Sequence, residues 1–433
     1  MFPMSWMRTL ALSGSLLSGA GLAGPATSPA THAATDATDA TFWTTTWTAS
    51  QQPVWASGAL PLPTGLPDVI SDATVLQRVR ISVGGRRVRL VLSNHYGKQA
   101  IQIGAAGIRG LAGRTGRPVT FAGHAAVTVA AGATVTSDPV DLDTPALDTL
   151  AVSLYLPRPT MLTSFHWDGR QTAYIAPGDQ VDHVDRLALA DQESHPPLQR
   201  ARTFQARVLL SAIDVETPAP CPTVVAIGDS ITEGNGATPD ADRRWPDQLA
   251  NRLARQHIAV LNAGISGGQL LRDGMGESGL ARFGHDVLAV PQVRSVVLAL
   301  GINDIGWPGS TFAPGRELPT VDELAHGYRK LVAQAHARGV RVIGATITPF
   351  AGALGGSPIH GYASPEKEAL RQRMNHWIRT SGAFDAVADF DAAVRDPAHP
   401  DRLLPAFDSG DHLHPGDQGY AAMAAAIDAA QLF

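Results

Sequence analysis

The sequence predicts an α/β protein in two parts: an antiparallel β-sandwich-like domain over residues 40–216, then an α/β domain with a parallel sheet over residues 223–433. Three observations carry this. The first half is written in short alternating runs separated by Gly, Pro and Asp, with no long amphipathic helix. The second half alternates short apolar runs with helical segments, which implies a parallel sheet covered on both faces. Between them, at residues 217–222, lies the Pro-rich linker Thr217-Pro218-Ala219-Pro220-Cys221-Pro222.

Arg8, the uncharged stretch Thr9 to Ala23 and the small residues Ala30 to Ala34 read as an export signal over residues 1–33, with cleavage near Ala33. The stretch is too short and too rich in Gly and Ser for a bilayer span, which takes ~20 apolar residues. No later segment reads as a membrane helix, so a secreted or periplasmic protein with no integral membrane segment after signal removal is expected. Val75, Val79, Ile81 and Val83 alternate with polar residues, as do Val88, Leu90 and Leu92; around Gly84-Gly85 they predict a hairpin. Further strands are expected at Ala126–Val129, Leu150–Leu156 and Arg207–Ile213.

Beyond the linker, strands are expected at Thr223–Ile227, Ala259–Asn262, Ser295–Leu300, Val340–Ala345 and Ala386–Phe390. Trp245–Gln256 reads as a helix with Pro246 in its first turn. Thr320-Val321-Asp322-Glu323 is a capping box for a helix running to Arg338 and stopped by Gly339. Ser364-Pro365 opens another that ends near Gly382, and Gln418–Gln431 closes the chain.

The totals narrow the function. An apolar fraction of 44% and a charged fraction of 17% suit ordinary globular cores. Lys and Arg number 34 against 39 Asp and Glu, and no dense basic run marks a nucleic-acid surface. Cys221, the one cysteine, cannot form an intramolecular disulfide, so the fold rests on packing.

Ligands of open parallel sheets bind beyond the carboxyl ends of the strands. Four polar segments fall at such places: Gly228-Asp229-Ser230, Asn262 to Gly267, Gly301-Ile302-Asn303-Asp304 and Gly410 to Pro415. A serine hydroxyl is a weak nucleophile that needs a base. An imidazole can take its proton near neutrality, and a carboxylate fixes the imidazole tautomer. Ser230, His414 and Asp411 supply these types, and Asp411 lies one short turn before His414. Ser230 N–H, Gly267 N–H and the Asn303 amide are the available oxyanion donors.

These blocks, Gly228-Asp229-Ser230, Gly267, Gly301-Ile302-Asn303-Asp304 and Asp411-x-x-His414, resemble those of the SGNH, or GDSL-type, hydrolases over residues 223–433. The resemblance implies a flavodoxin-like three-layer α/β/α domain and ester hydrolysis with no cofactor. It also implies that Asp229 is structural, bonding the turn that presents Ser230. Leu76–Asn94 and Asp408 to Pro415 further resemble an exported bacterial subfamily grouped with arylesterases and acylhydrolases of xylan-degrading systems.

Other readings of the same residues are weaker. His412, His414 and Asp411 have ligand chemistry, but no further ligand cluster accompanies them, so no metal is expected. Gly228, Gly234 and Gly236 lack the Lys of a phosphate loop. Trp307, Trp167, His360 and Tyr362 are candidates to contact substrate, and His166, Trp167 and Tyr174 to face the catalytic rim from the N-terminal domain. The expected substrate is an ester, first an acetyl ester of plant polysaccharide or its fragments. A lipase, lysophospholipase or general arylesterase is the alternative among esterases. A non-catalytic carbohydrate-binding protein is the alternative of another class, and the complete Ser, His and Asp set argues against it.

Overall fold

The computed structural model describes residues 41–56, 58–111, 116–183 and 201–433. The expected export signal at residues 1–33 lies outside them.

The N-terminal half is built from antiparallel strands. One six-stranded sheet runs in the order Arg202–Phe204, Ala173–Pro177, Ala73–Arg80, Thr149–Leu156, Ala105–Gly110, Arg117–Val119. A second sheet orders Phe42–Thr48, Leu210–Thr217, Gly85–Ser93 and Val140–Thr144, with Thr134–Thr136 also paired to Gly85–Ser93. Alternation decides which side chains go inward. Val88, Leu90 and Leu92 are buried while Arg87, Arg89 and Val91 between them are not. They share one core with Val75, Val79, Val152 and Leu154 of the first sheet.

The hairpin expected around Gly84-Gly85 does not form. Ala73–Arg80 pairs with Thr149–Leu156 and Ala173–Pro177, whereas Gly85–Ser93 pairs in the other sheet. A two-residue hairpin turn needs positive φ, and neither glycine has it. Their smallness serves close approach instead. A Cβ on Gly84 would lie 2.1 Å from the Thr144 carbonyl oxygen, and one on Gly85 would lie 2.5 Å from that of Glu216. Both strands alternate toward the same core, and the pattern cannot tell pairing side by side from stacking face to face. The run expected at Arg207–Ile213 is likewise divided, by Leu209 at φ 63°. Arg207–Val208 pairs with Ser164–His166, and the chain past Leu209 pairs with Gly85–Ser93.

The C-terminal half holds a parallel sheet of β1 (Thr223–Gly228), β2 (Ala259–Gly264), β3 (Val293–Ala299), β4 (Arg341–Ala345) and β5 (Ala386–Ala388). Every residue of β1 is buried, as a strand covered on both faces requires. The helices are α1 (Ser230–Glu233), α2 (Trp245–Leu253), α3 (Gly279–Phe283), α4 (Ile302–Gly306), α5 (Val321–His336), α6 (Pro365–Thr380), α7 (Phe390–Val394) and α8 (Asp417–Ala425). The Thr320–Glu323 capping box forms as the sequence suggests, and Gly339 at φ 67° follows the helix end. The expected strand at Ala386–Phe390 is shorter, because Asp389 caps α7 by accepting the Ala392 N–H. The closing helix also stops early, at Ala425, with a separate turn at Ala429–Gln431.

The strand order is β2-β1-β3-β4-β5. The chain leaves β1 for one side and then returns to the other, so the switch in direction falls at β1. The carboxyl ends of β1, β2 and β3 lead directly into the Ser230, Gly267 and Asn303 segments. The two halves are packed together: Val260 N–H donates to Ser82 Oγ at 3.2 Å, and Arg80 Nη2 to Asn251 Oδ1 at 2.7 Å.

Candidate active site

Ser230 is the first residue of α1, and the turn that presents it is held by its neighbours. Asp229 Oδ1 accepts the Ile231 N–H at 2.9 Å, which caps the helix and leaves the serine hydroxyl free. Burial pushes the Asp229 carboxyl up to about 7, against the Ile231 N–H and the nearby His414. A Cβ on Gly228 would lie 2.0 Å from Thr232 Oγ1, so only glycine permits so tight a passage from strand to helix.

The segment before α8 brings the base. Asp408 and Pro415 bridge, Ser409 N–H donates to the His414 carbonyl, and Asp408 accepts from the Gly410 and His412 N–H groups. Asp411 Oδ1 accepts the N–H of Leu413 at 2.9 Å and of His414 at 2.8 Å. Its other oxygen lies 2.6 Å from His414 Nδ1, and His414 Nε2 lies 2.8 Å from Ser230 Oγ. Burial opposes the Asp411 charge, but the His414 ring and these N–H groups outweigh it and hold the carboxyl well below the usual range. His412 is engaged separately, its Nδ1 lying 2.5 Å from Asp408 Oδ2. Among the described residues no group of His, Cys, Asp and Glu is placed to hold a metal ion.

The second and third segments supply donors. Asn303 Nδ2 donates to the Gly268 carbonyl at 3.0 Å, and Tyr362 OH donates to Asn303 Oδ1 at 2.8 Å. Both bonds demand the same amide orientation and leave one Nδ2 hydrogen for the cavity. Asp304 ties the second segment to α4 by accepting the N–H groups of Leu270 and Leu271 at 2.7 and 2.9 Å. Gly267 sits at φ 67°, and a Cβ there would lie 2.8 Å from both Met275 and Trp307. Among the described residues, the N–H groups of Ser230 and Gly267 have no acceptor.

Ser230, Gly267, Asn303, Asp411 and His414 all line one cavity of about 190 Å³. Trp307, Trp167 and Tyr362 line it too. Trp307 is buried and stacked on Phe312 at 4.7 Å, so it forms a wall and not an open platform for a sugar ring. Tyr362 is buried with its hydroxyl committed to Asn303. His360 is not part of the lining. It is exposed, its N–H bonded to Thr311 Oγ1, and its neighbour Ile359 faces the cavity. Of the three residues expected to face the rim from the N-terminal half, only Trp167 does. His166 is buried against Glu233, and Tyr174 packs with Leu76 and Ala151 in the N-terminal half. Leu62, Met275, Leu354 and Ile359 complete the apolar walls. No motif points to them, because they come from irregular segments that only tertiary packing brings together.

Residues 226–422 match the GDSL-like lipase/acylhydrolase family. No curated protein matches the chain. Among solved structures, it is similar to a GDSL-like lipase from Bacteroides thetaiotaomicron (21% identity, 48% of this chain and 87% of that one, TM-score 0.36). It is also similar to an alpha/beta hydrolase enzyme from the metagenome of Lake Arreo, Spain (20% identity, 49% and 96%, TM-score 0.36). A third is an acetyl xylan esterase (18% identity, 47% and 96%, TM-score 0.34). The match to the GDSL-like lipase/acylhydrolase family lies within residues 226–422, and the protein is a serine ester hydrolase.

Proposed function

We propose that the protein is an exported carboxylic-ester hydrolase acting through an acyl-enzyme at Ser230. The observation that carries this is the continuous chain from Asp411 through His414 to Ser230, opening on a cavity that Gly267 and Asn303 also line. Ser230 Oγ attacks the ester carbonyl carbon while its proton passes to His414 Nε2, and Asp411 stabilises the imidazolium through Nδ1–H. Ser230 N–H, Gly267 N–H and the second Nδ2 hydrogen of Asn303 receive the oxyanion. His414 then gives its proton to the departing alcohol oxygen. A water molecule enters, passes a proton to His414, attacks the acyl carbon and releases the acid with Ser230 restored. Export is supported by Arg8 and the uncharged stretch after it. The shared core of the two N-terminal sheets supports a sandwich, and the parallel sheet with α2 against α8 and α5 against α6 supports three layers.

Asn303→Ala is expected to lower kcat by ~10²–10³ with a smaller effect on KM, since the donor matters once charge develops. Tyr362→Phe removes the donor to Asn303 Oδ1 and should lower kcat by about 10-fold, the loss of one buried hydrogen bond. Steady-state kinetics on a phenyl ester measures both. A large rise in KM with kcat preserved would make Asn303 an ordinary binding group.

A short acyl group, first acetyl on plant polysaccharide, is the proposed substrate. The cavity of about 190 Å³ supports it, being small beside the roughly 300–1,000 Å³ of common ligand sites. One observation favours longer chains. A groove of about 700 Å³ lined by Trp55, Leu60, Leu66 and Met161 shares Leu62 with the cavity. A series of aryl esters from acetyl to dodecanoyl, beside acetate release from acetylated xylan, decides between them. Expected are the highest kcat/KM for acetyl to butyryl and a drop of at least ~10-fold by octanoyl. Highest kcat/KM at octanoyl or beyond, with no acetate released, would favour the lipase reading.

A further inference from the structure

Glu233 closes α1 one turn after Ser230, and its buried carboxyl lies where three segments meet. His166 of the N-terminal half places Nε2 at 3.1 Å from Glu233 Oε1, and the Asp168 N–H reaches the same oxygen at 3.3 Å. The other oxygen accepts the Ser266 hydroxyl in a short hydrogen bond. Ser266 Oγ in turn accepts Asn235 Nδ2 at 2.6 Å. Ser266 directly precedes Gly267, whose N–H is an oxyanion donor in the mechanism above. One carboxyl therefore joins the nucleophile's helix, the oxyanion segment and the N-terminal domain.

We propose that His166, acting through Glu233 and Ser266, is a positioning residue for the Gly267 N–H, so that the N-terminal domain is a working part of the catalytic apparatus. This rests on the reading of Ser230 and Gly267 given above.

The proton arrangement follows from the partners. His166 Nδ1 lies 3.0 Å from the Ser50 carbonyl, which can only accept, so Nδ1 carries hydrogen. Burial and the charges of Arg207, Arg244 and Arg282 push the ring pKa down to about 3, so Nε2 bears a lone pair at neutral pH. Burial and the charge of Asp168 push Glu233 up to about 8. The bond between the domains is therefore Glu233 Oε1–H donating to His166 Nε2. As pH rises through about 8 the proton leaves, and a carboxylate then faces the lone pair. Attraction across the junction becomes repulsion.

Glu233→Gln tests this directly. Its amide nitrogen can donate to His166 Nε2 and its oxygen can accept from Ser266, keeping these two bonds of the protonated acid without titrating, while the Asp168 N–H at 3.3 Å loses its acceptor. At pH 7 the variant is expected to keep kcat within about 3-fold of wild type, and to lose any decline in kcat centred near pH 8. Ser266→Ala and His166→Ala are each expected to lower kcat by about 10-fold with little change in KM, the size of one buried hydrogen bond lost. Together they should cost less than the product of the two, since both act through Glu233.

Thermal melting gives a readout besides activity. Folded Glu233 keeps a proton that the unfolded chain, at the ordinary 4.5, has lost, so its contribution to stability shrinks as pH rises from there toward 8. The melting temperature of Glu233→Gln should fall less than that of wild type over that interval. The inference is overturned if Glu233→Gln loses as much kcat as Glu233→Ala, if its alkaline decline persists, or if Ser266→Ala leaves kcat unchanged. Absence of ester turnover and of Ser230 labelling in the wild type would instead overturn the underlying reading. Should Glu233→Ala or His166→Ala fail to fold, Glu233→Gln and Ser266→Ala still decide.

Discussion

Ser230→Ala is expected to lower kcat by about 10⁶-fold while leaving the fold unchanged. The hydroxyl is bonded to His414 Nε2, and the capping of α1 belongs to Asp229, so removing one oxygen disturbs no structural contact. A methyl group cannot form the acyl-enzyme, and the remaining donors can only stabilise attack by water. Activity on an aryl acetate and unfolding by circular dichroism measure the two halves of the prediction. Labelling with a fluorophosphonate, followed by peptide mapping, identifies the nucleophile independently. Ser266 also lines the cavity, but its hydroxyl is committed to Glu233 and Asn235. Label on Ser266, or turnover surviving in Ser230→Ala, would remove Ser230 from the role.

Asp411→Asn is expected to cost about 10⁴-fold in kcat with KM little changed. Asp411 Oδ1 accepts two backbone N–H groups, so the asparagine oxygen must occupy that position. The amide nitrogen then replaces the oxygen that now lies 2.6 Å from His414 Nδ1. Two donors cannot face each other, so the imidazole moves its hydrogen to Nε2 and can no longer take the Ser230 proton. Stability should respond to pH in a definite sense. The Asp411 carboxyl is held below its unfolded value, so its contribution is present at neutral pH and is lost as pH falls through the acid range. The melting temperature of Asp411→Asn should therefore lie below that of wild type at pH 7 and converge with it in acid. Kinetics unchanged by the substitution would mean that the tautomer of His414 is set by another group.

Much of this protein was legible in the sequence because the relevant signals are local. The Pro-rich stretch after Thr217 separates two periodicities, and alternation at Val88, Leu90 and Leu92 names the residues that enter the core. The polar segments at strand ends announce Ser230, Gly267, Asn303 and the Asp411-to-His414 turn, since a parallel sheet gathers such ends on one rim. Periodicity does not say which strands pair. Ala73–Arg80 and Gly85–Ser93 read as a hairpin and instead lie in different sheets, because their inward faces suit either arrangement.

The chemistry shows the same division. The residue types and the short spacing from Asp411 to His414 were determined by the sequence. The bond from Tyr362 to Asn303, the exclusion of His360 from the cavity and the junction of His166, Glu233 and Ser266 were decided by the tertiary structure. Glu233 stands three residues after the nucleophile, and no motif in the sequence marks it. Its partners lie 67 residues before it and 33 after, and only burial, which removes water as the competing partner, makes a shared proton between them favourable.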